Sequence, residues 1–257
     1  MEICVCVKRV PMVGGAIVVT PDGLDVDTTM AGFTVSPHEE CAVEEAVQIA
    51  ERLGGSVTVL TLGPPHAADQ LRDMLALGAG QAMLLQTDGA EWGAVATAAA
   101  LADAVGERGF DLLLFGNEAA DTGGYQVPVR VAHLLGLPCV TGIKRLEVVA
   151  GTDGSAERVV AGREYAGTEE TFDVPLPAVV SVKEGINLPR YPSLPGRLRA
   201  KRATIETVEL GPQPPDGLVK QRLRVPAASG AHSELLGSGV DAVPALVRLL
   251  DDLGVFR

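Results

Sequence analysis

The sequence predicts an α/β fold: a doubly wound, mostly parallel sheet with an antiparallel β addition and a C-terminal arm. Three observations carry this. Up to about Ile143, short β-branched or wholly apolar runs alternate with helical stretches, the pattern of βαβ units with right-handed crossovers. From Lys144 to Val174 the texture changes to period-two alternation broken by Gly-containing turns. Residues from about Gly211 to Gly239 are rich in Pro, Gly and Ser. The expected organisation is a nucleotide-binding α/β domain with its antiparallel extension over residues 1–207, followed over 208–257 by an arm and helix.

Glu2–Lys8 predicts a central strand, and Gly14–Val26 a small hairpin turning at Pro21-Asp22-Gly23. Ser36-Pro37-His38-Glu39 is a strong helix start: Ser36 is placed to cap, Pro37 fits the first helical position, and Glu39 closes a capping box. That helix runs to about Leu53, with Val43, Ala46, Val47, Ala50 and Leu53 as its apolar stripe, and Gly54-Gly55 ends it. Ser56–Leu62 is the next strand. Gly63-Pro64-Pro65 turns into a helix carrying Leu71, Met74 and Leu75.

Gln81–Gln86 is a strand, Ala94–Val105 an Ala-rich helix, and Asp111–Phe115 a strand apolar on both faces, as a sheet covered on both sides requires. Pro128–Leu135 reads as helix and Leu137–Thr141 as strand. Lys144–Ala150, Glu157–Glu164 and Thr168–Val174 form the antiparallel addition, closed by the apolar strand Ala178–Val182. The amphipathic stretch Val240–Leu253 places Val243, Leu246, Leu249 and Leu250 on one face, as a helix docked on a neighbour would.

Composition excludes several functions. The chain of 257 residues is 47% hydrophobic and 21% charged, a globular balance. A formal net charge of -12 with only 4% aromatic residues is unsuited to nucleic acid, whose phosphates are bound by Lys and Arg, and to anionic membrane surfaces. No apolar run approaches the roughly 20 residues of a membrane span, so no membrane insertion is expected. The opening MEICVCVKRV has neither signal-peptide nor transit-peptide character, and the expected location is cytoplasmic, the alternative being a protein with its leader removed. Cys4 and Cys6 point to one face of a strand and read as buried core residues. There is no CxxC and no HExxH, and the expected metal content is none.

In an open parallel sheet, ligands sit outside the carboxyl ends of the strands at the topological switch point. Val7–Val10, Ser36–Glu39, Gly63-Pro64 and Gly116–Val127 fall there. The last reads GNEAADTGGYQV, and its Gly123 and Gly124 let backbone approach a ligand before a helix N-terminus that favours phosphate. Tight strand-to-helix packing would equally explain the two glycines. GxGxxG, GxxxxGK[ST] and GxSxG are absent, and no nucleophile–base constellation is visible, so a nucleotide would be held rather than cleaved. The expected class is a protein that holds a nucleotide for structure or electron transfer, not an enzyme. A nucleotide hydrolase or ligase and a self-dimerising nucleotide sensor are the alternatives. Ile186–Pro195 carries three Pro in ten residues and offers Tyr191 and Leu194 outside any helical or strand period. It is either a stiff docking loop or a connector packed on its own domain.

These segments, in this order, resemble the electron transfer flavoprotein beta family over about residues 2–207. VCVKRV is similar to the family's first strand and Lys-Arg turn, and LGPPHAADQLRDMLALGAGQA to its Gly-Pro turn, helix and strand. GREYAGTEETFDVPLPAVVSV running into INLPRYPSLPGRLRAKR is similar to its signature and partner-recognition loop. The resemblance implies a heterodimer with an alpha subunit that carries most contacts to an electron-carrying FAD. It also implies a buried structural AMP, or a second FAD at that position in members that bifurcate electrons. By resemblance the nucleotide contacts fall on Cys6, Ser36, Pro37, His38, Glu39, Leu62, Gly116, Asn117, Asp121, Gly123, Gly124, Tyr125, Gln126 and Val127, with Glu164 facing the flavin side. Pro189, Arg190, Tyr191 and Leu194 match the docking loop, and Leu194 the apolar anchor that enters a pocket on partner dehydrogenases. The implied route runs from flavin-dependent, acyl-CoA-type dehydrogenases to a quinone reductase or another acceptor. Val13 stands where some members place a Tyr near the flavin ring.

Overall fold

A computed structural model of the chain describes residues 1–12, 14, 17–151, 155–213, 220–226 and 234–256; Val13 lies outside them. The chain divides into two units, Met1–Ala16 with Asp27–Lys220, and Ile17–Val26 with Gln221–Arg257.

The first unit runs, in chain order, through β1 (Glu2–Cys6), β2 (Arg9–Pro11), β3 (Phe33–Val35), α1 (Pro37–Leu53), β4 (Ser56–Gly63) and α2 (Ala68–Leu77). It continues through β5 (Gln81–Gln86), α3 (Ala94–Val105), β6 (Leu112–Gly116), α4 (Val127–Leu135) and β7 (Cys139–Ile143). Then come β8 (Arg145–Ala150), β9 (Ala156–Tyr165), β10 (Thr168–Pro175), β11 (Ala178–Val182), α5 (Leu194–Arg202) and β12 (Glu206–Glu209). Seven strands form one sheet in the order β12-β5-β4-β1-β6-β11-β7, with parallel pairing at each step. β8, β9 and β10 make a three-stranded antiparallel sheet, and β2 pairs with β3. The α/β class with a largely parallel sheet and an antiparallel addition is therefore as the sequence predicts.

Alternation along β1 divides the interior into two cores. Ile3 and Val5 face α1 and α2, joined by Leu146, Val148, Val159 and Ala161 from the antiparallel sheet. Cys4 and Cys6 face α3 and α4, with Leu101, Val105, Val131 and Ala132. Both cysteines are buried and free, as small core residues. Along α1 the stripe Val43, Ala46 and Val47 is buried, but Leu53 is 45% exposed because the helix ends there, past the sheet it packs on.

Three features carry no periodic signal and were not predicted. β2 and β3 have three residues each. β12 adds ETVE at the sheet edge with every residue exposed. Leu194, expected in a loop, is the first residue of α5. Pro195 and Gly196 look like helix breakers, yet Pro is tolerated in a first turn, and Ser193 caps that turn by accepting from Gly196 N at 3.1 Å.

In the second unit the expected hairpin is a single bridge, Val19 to Val26, and Leu223 N donates to Gly23 O at 2.7 Å. A 3-10 turn over Gly239–Ala242 leads into α6 (Val243–Asp252), none of whose residues is buried. Val243, Leu246 and Leu249 stand 43–50% exposed on it. Among the described residues no helix is long and apolar enough to cross a membrane.

Candidate functional site

The order in which successive strands are added reverses at β1: β4 and β5 lie on one side, β6 and β11 on the other. A crevice outside the carboxyl ends of β4, β1 and β6 follows. Cys6 ends β1, Leu62 is the penultimate residue of β4, and Gly116 ends β6, leading into Asn117. Ser36, Pro37, His38 and Glu39 begin α1 at the same edge. Gln126 and Val127 begin α4.

Hydrogen bonds tie these pieces together. The Glu39 carboxylate accepts from Ser36 N at 3.2 Å, closing back on the helix start, and from Lys8 N at 3.1 Å. The Ser36 hydroxyl accepts from Ala120 N at 3.0 Å. Lys8 Nζ pairs with Asp121 at 2.7 Å, so the middle of the 116–127 loop is held at two adjacent residues, one tied to the segment that follows β1 and one to the start of α1. Lys8 belongs to the Val7–Val10 segment that the sequence places at these strand ends, although it is not among the contact residues carried over by resemblance. Asn117 is 9% exposed, and its Oδ1 accepts from the Ser181 hydroxyl at 3.1 Å, which in turn accepts from Gly142 N. That oxygen thus joins β6 to β11 and β7. Gln126 Oε1 accepts from Arg130 one turn further along.

The glycines separate into two kinds. A Cβ on Gly116 would lie 2.6 Å from Glu39 Cγ and 3.0 Å from Glu39 N, so this glycine serves internal packing. At Gly123 and Gly124 a Cβ would meet nothing within 4 Å. Gly123 has φ +54, but Gly124 has no left-handed φ, so nothing in the described chain requires its lack of a side chain. Tyr125 beside it is held at φ +56 and is 55% exposed. His38 approaches Glu118 at 3.9 Å through Nε2, while its Nδ1 is buried without a hydrogen-bond partner among the described residues.

Burial pushes the Glu39 carboxyl up to about 8, against the lowering influence of the Lys8 and Ser36 N–H groups and the Lys8 charge. The fold therefore binds a proton here that the unfolded chain has released above about 4.5. Stability from this group is present at low pH and is lost as pH rises through that window. For the nucleotide-free protein, urea unfolding between about pH 5 and about pH 8.5 is expected to lose on the order of a few kcal/mol, and Glu39→Gln to flatten that slope. An equal slope in the Gln variant would show that another group carries it.

Glu164 lies elsewhere, near the tip of the β9–β10 hairpin, where Ala166 (φ +49) and Gly167 (φ +79) make the turn. Its carboxylate is 3.2 Å from Lys144 Nζ. Both line an open concavity of about 640 Å³ with Arg145, Tyr165, Thr168 and Glu169. Pro189, Arg190, Tyr191 and Leu194 lie together on the 186–195 segment; Tyr191 is 97% and Leu194 71% exposed, whereas Arg190 is engaged by its own chain. Among the described residues no group of three His, Cys, Asp or Glu side chains is placed to hold a metal.

Fold and crevice together define the class: a doubly wound α/β protein with a crevice at the switch point of its sheet. The model of the electron transfer flavoprotein domain matches residues 24–213. The electron transfer flavoprotein subunit beta of Bacillus subtilis (strain 168) is 40% identical over 182 residues, which cover 70% of this chain and 68% of that protein. The subunit beta of Mycobacterium leprae (strain TN) is 37% identical over 216 residues, 81% of this chain and 79% of that one. That of Syntrophomonas wolfei subsp. wolfei is 36% identical over 208 residues, 80% and 79%. The chain belongs to the electron transfer flavoprotein beta subunit family, which is named for electron carriage rather than for catalysis.

Proposed function

We propose that the chain is the beta subunit of a heterodimeric electron transfer flavoprotein. It carries electrons from flavin-dependent, acyl-CoA-type dehydrogenases to a quinone reductase or another acceptor. In this reading it walls one side of an FAD held chiefly by the alpha subunit, and it buries an AMP in its own crevice.

The observation that carries the nucleotide is the open space over Gly123 and Gly124, beside the starts of α1 and α4. Two helix N-termini supply N–H groups and positive dipole to a phosphate, and the buried Nδ1 of His38 is a polar atom in need of a partner. Ser36, Glu39 and Asp121 act indirectly: they lock the loop and helix into one shape before any ligand arrives. The chain's residues therefore fit an adenine nucleotide. On the flavin side, Glu164 near the β9–β10 turn and Lys144 just before β8 present an ion pair, and the concavity beside them fits contact with the FAD or the subunit that holds it. The flavin supplies the electron-accepting and electron-donating group; the residues described here bind, orient and exclude water. The exposed apolar face of α6 fits the alpha subunit as its cover.

Affinity purification from the native host, with the partner identified and released cofactors quantified, tests this. The expected result is one partner flavoprotein with one FAD and one AMP per heterodimer. Two FAD and no AMP would replace AMP with a second flavin. No partner and no flavin would overturn the reading.

A further inference from the structure

Arg190 was expected to meet the partner. Its guanidinium is instead consumed within the chain. Nε and Nη2 donate to the two oxygens of Glu44 at 2.9 and 3.1 Å, and Nη1 and Nη2 to the two oxygens of Glu51 at 2.6 and 3.0 Å. The Arg190 backbone N–H also donates to Glu44 at 3.2 Å. Glu44 is 4% exposed in its side chain and is further held by Gln48 at 2.7 Å. One step earlier in the segment, Asn187 Nδ2 donates to Cys41 O and to Glu45, both at 3.0 Å. All four acceptors lie on α1.

The far end of the segment is held as firmly. Ser193 caps α5, and a Cβ on Gly196 would lie 2.7 Å from Ala76 O, so α5 sits directly on the end of α2. Arg72 of α2 donates to Ala200 O at 2.7 Å and Ala203 O at 3.1 Å, closing the C-terminal end of α5. Between these anchors Leu188, Tyr191 and Leu194 project, 89%, 97% and 71% exposed. Apolar side chains left in water on a backbone pinned at both ends are the opposite of a segment folded onto its own domain. The ordering cost of a loop is charged to every association that must freeze it, and a segment frozen beforehand escapes that cost.

We infer that Arg190, clamped between Glu44 and Glu51, is a positioning residue that holds the 186–195 segment rigid so that its apolar side chains meet an electron-donating dehydrogenase already ordered. This deepens the docking reading above and rests on it. Arg190 acts through Leu194 and makes no contact of its own with the donor. A lysine does not substitute, because one ammonium does not form two bidentate pairs.

The test is a double-mutant cycle on the intact heterodimer, read as KM for the reduced donor dehydrogenase, together with amide hydrogen exchange over residues 186–195. Arg190→Ala, and Glu44→Gln as a variant that leaves no bare buried charge, are expected to speed exchange across the segment. They should raise KM about tenfold with kcat within about twofold and FAD content unchanged. In a Leu194→Ala background, Arg190→Ala should raise KM by less than about twofold more, because the side chain it positions is gone. Arg190→Lys should behave as Arg190→Ala. An effect of Arg190→Ala that multiplies fully with that of Leu194→Ala would place the guanidinium on the donor and overturn the inference. So would unchanged exchange and KM in the Arg190 variants while Leu194→Ala is impaired, an outcome that leaves docking itself standing. If Leu194→Ala has a native KM, docking fails, and the positioning role falls with it even where exchange is faster.

Discussion

Gly116→Val is expected to destabilise the protein by about 2–4 kcal/mol and to abolish nucleotide retention. The added Cβ alone would sit 2.6 Å from Glu39 Cγ, 3.0 Å from Glu39 N and 3.2 Å from His38 Cβ. A side-chain tip can swing aside, but a backbone nitrogen in the first turn of α1 moves only with the helix. The helix is buried along Cys41, Ala42, Val43, Ala46 and Val47. Pushing its start away from β6 also breaks the Glu39 bonds to Lys8 and Ser36 and the bond from Ala120 to Ser36. The informative companion is Gly124→Val. With nothing within 4 Å and no left-handed φ, it should leave the nucleotide-free protein within about 0.5 kcal/mol of native stability while nucleotide content falls. Thermal melts of nucleotide-stripped protein and quantification of released nucleotide give both readings. A Gly124→Val protein that still purifies with full nucleotide would mean that the open space belongs to something else. A native melt for Gly116→Val would mean that the loop, not the helix, gives way.

Leu194→Ala should lower kcat/KM for transfer from the donor dehydrogenase by about 10–100-fold, with FAD content and melting temperature unchanged. Leu194 is 71% exposed at the start of α5, so its side chain contributes little to the fold, and truncation removes area from a future interface rather than from a core. An anchor entering a pocket is where interface energy concentrates, and the flanking Tyr191 and Leu188 would exclude water around it. Steady-state reduction by a purified dehydrogenase, with an artificial reductant as control, measures it. A native rate with the dehydrogenase would remove the segment from electron transfer.

What could be read from the sequence followed the strength of local signals. Gln81–Gln86, Ala94–Val105 and Ala178–Val182 were placed to the residue because each is a long apolar or Ala-rich run between Gly or Pro stops. Ser36 and Glu39 identified the start of α1 through capping chemistry alone. β12 and the β2–β3 pair were invisible because three or four mostly exposed residues have no period to detect. The start of α5 carries little signal because Pro195 and Gly196 disfavour helix, and only the Ser193 cap marks it. In the crevice, strand ends and glycines could be located, but not their division of labour. Only coordinates distinguish Gly116, crowded by Glu39, from Gly124, facing empty space. The Arg190 clamp was out of reach for another reason: its partners Glu44 and Glu51 are more than 130 residues away in the chain, at separations of 146 and 139.

The strand order also dictates a schedule for a chain leaving the ribosome. β5, β4, β1 and β6 are neighbours and are all synthesised by Gly116, so four of the seven strands can assemble early. β7 is made next, yet its only neighbour in that sheet is β11, which follows after the whole β8–β10 excursion. Until Val182 has emerged, β7 has nowhere to pair and the outer edge of β6 lies open, and such unpaired edges invite association with other nascent chains. Asn117 N donates to Val182 O at 2.9 Å, so the wall of the crevice is completed by that same late strand. Completion of that wall is thereby deferred past the point of greatest exposure, and a translating ribosome paused between Ile143 and Ala178 would hold this protein at its most aggregation-prone length.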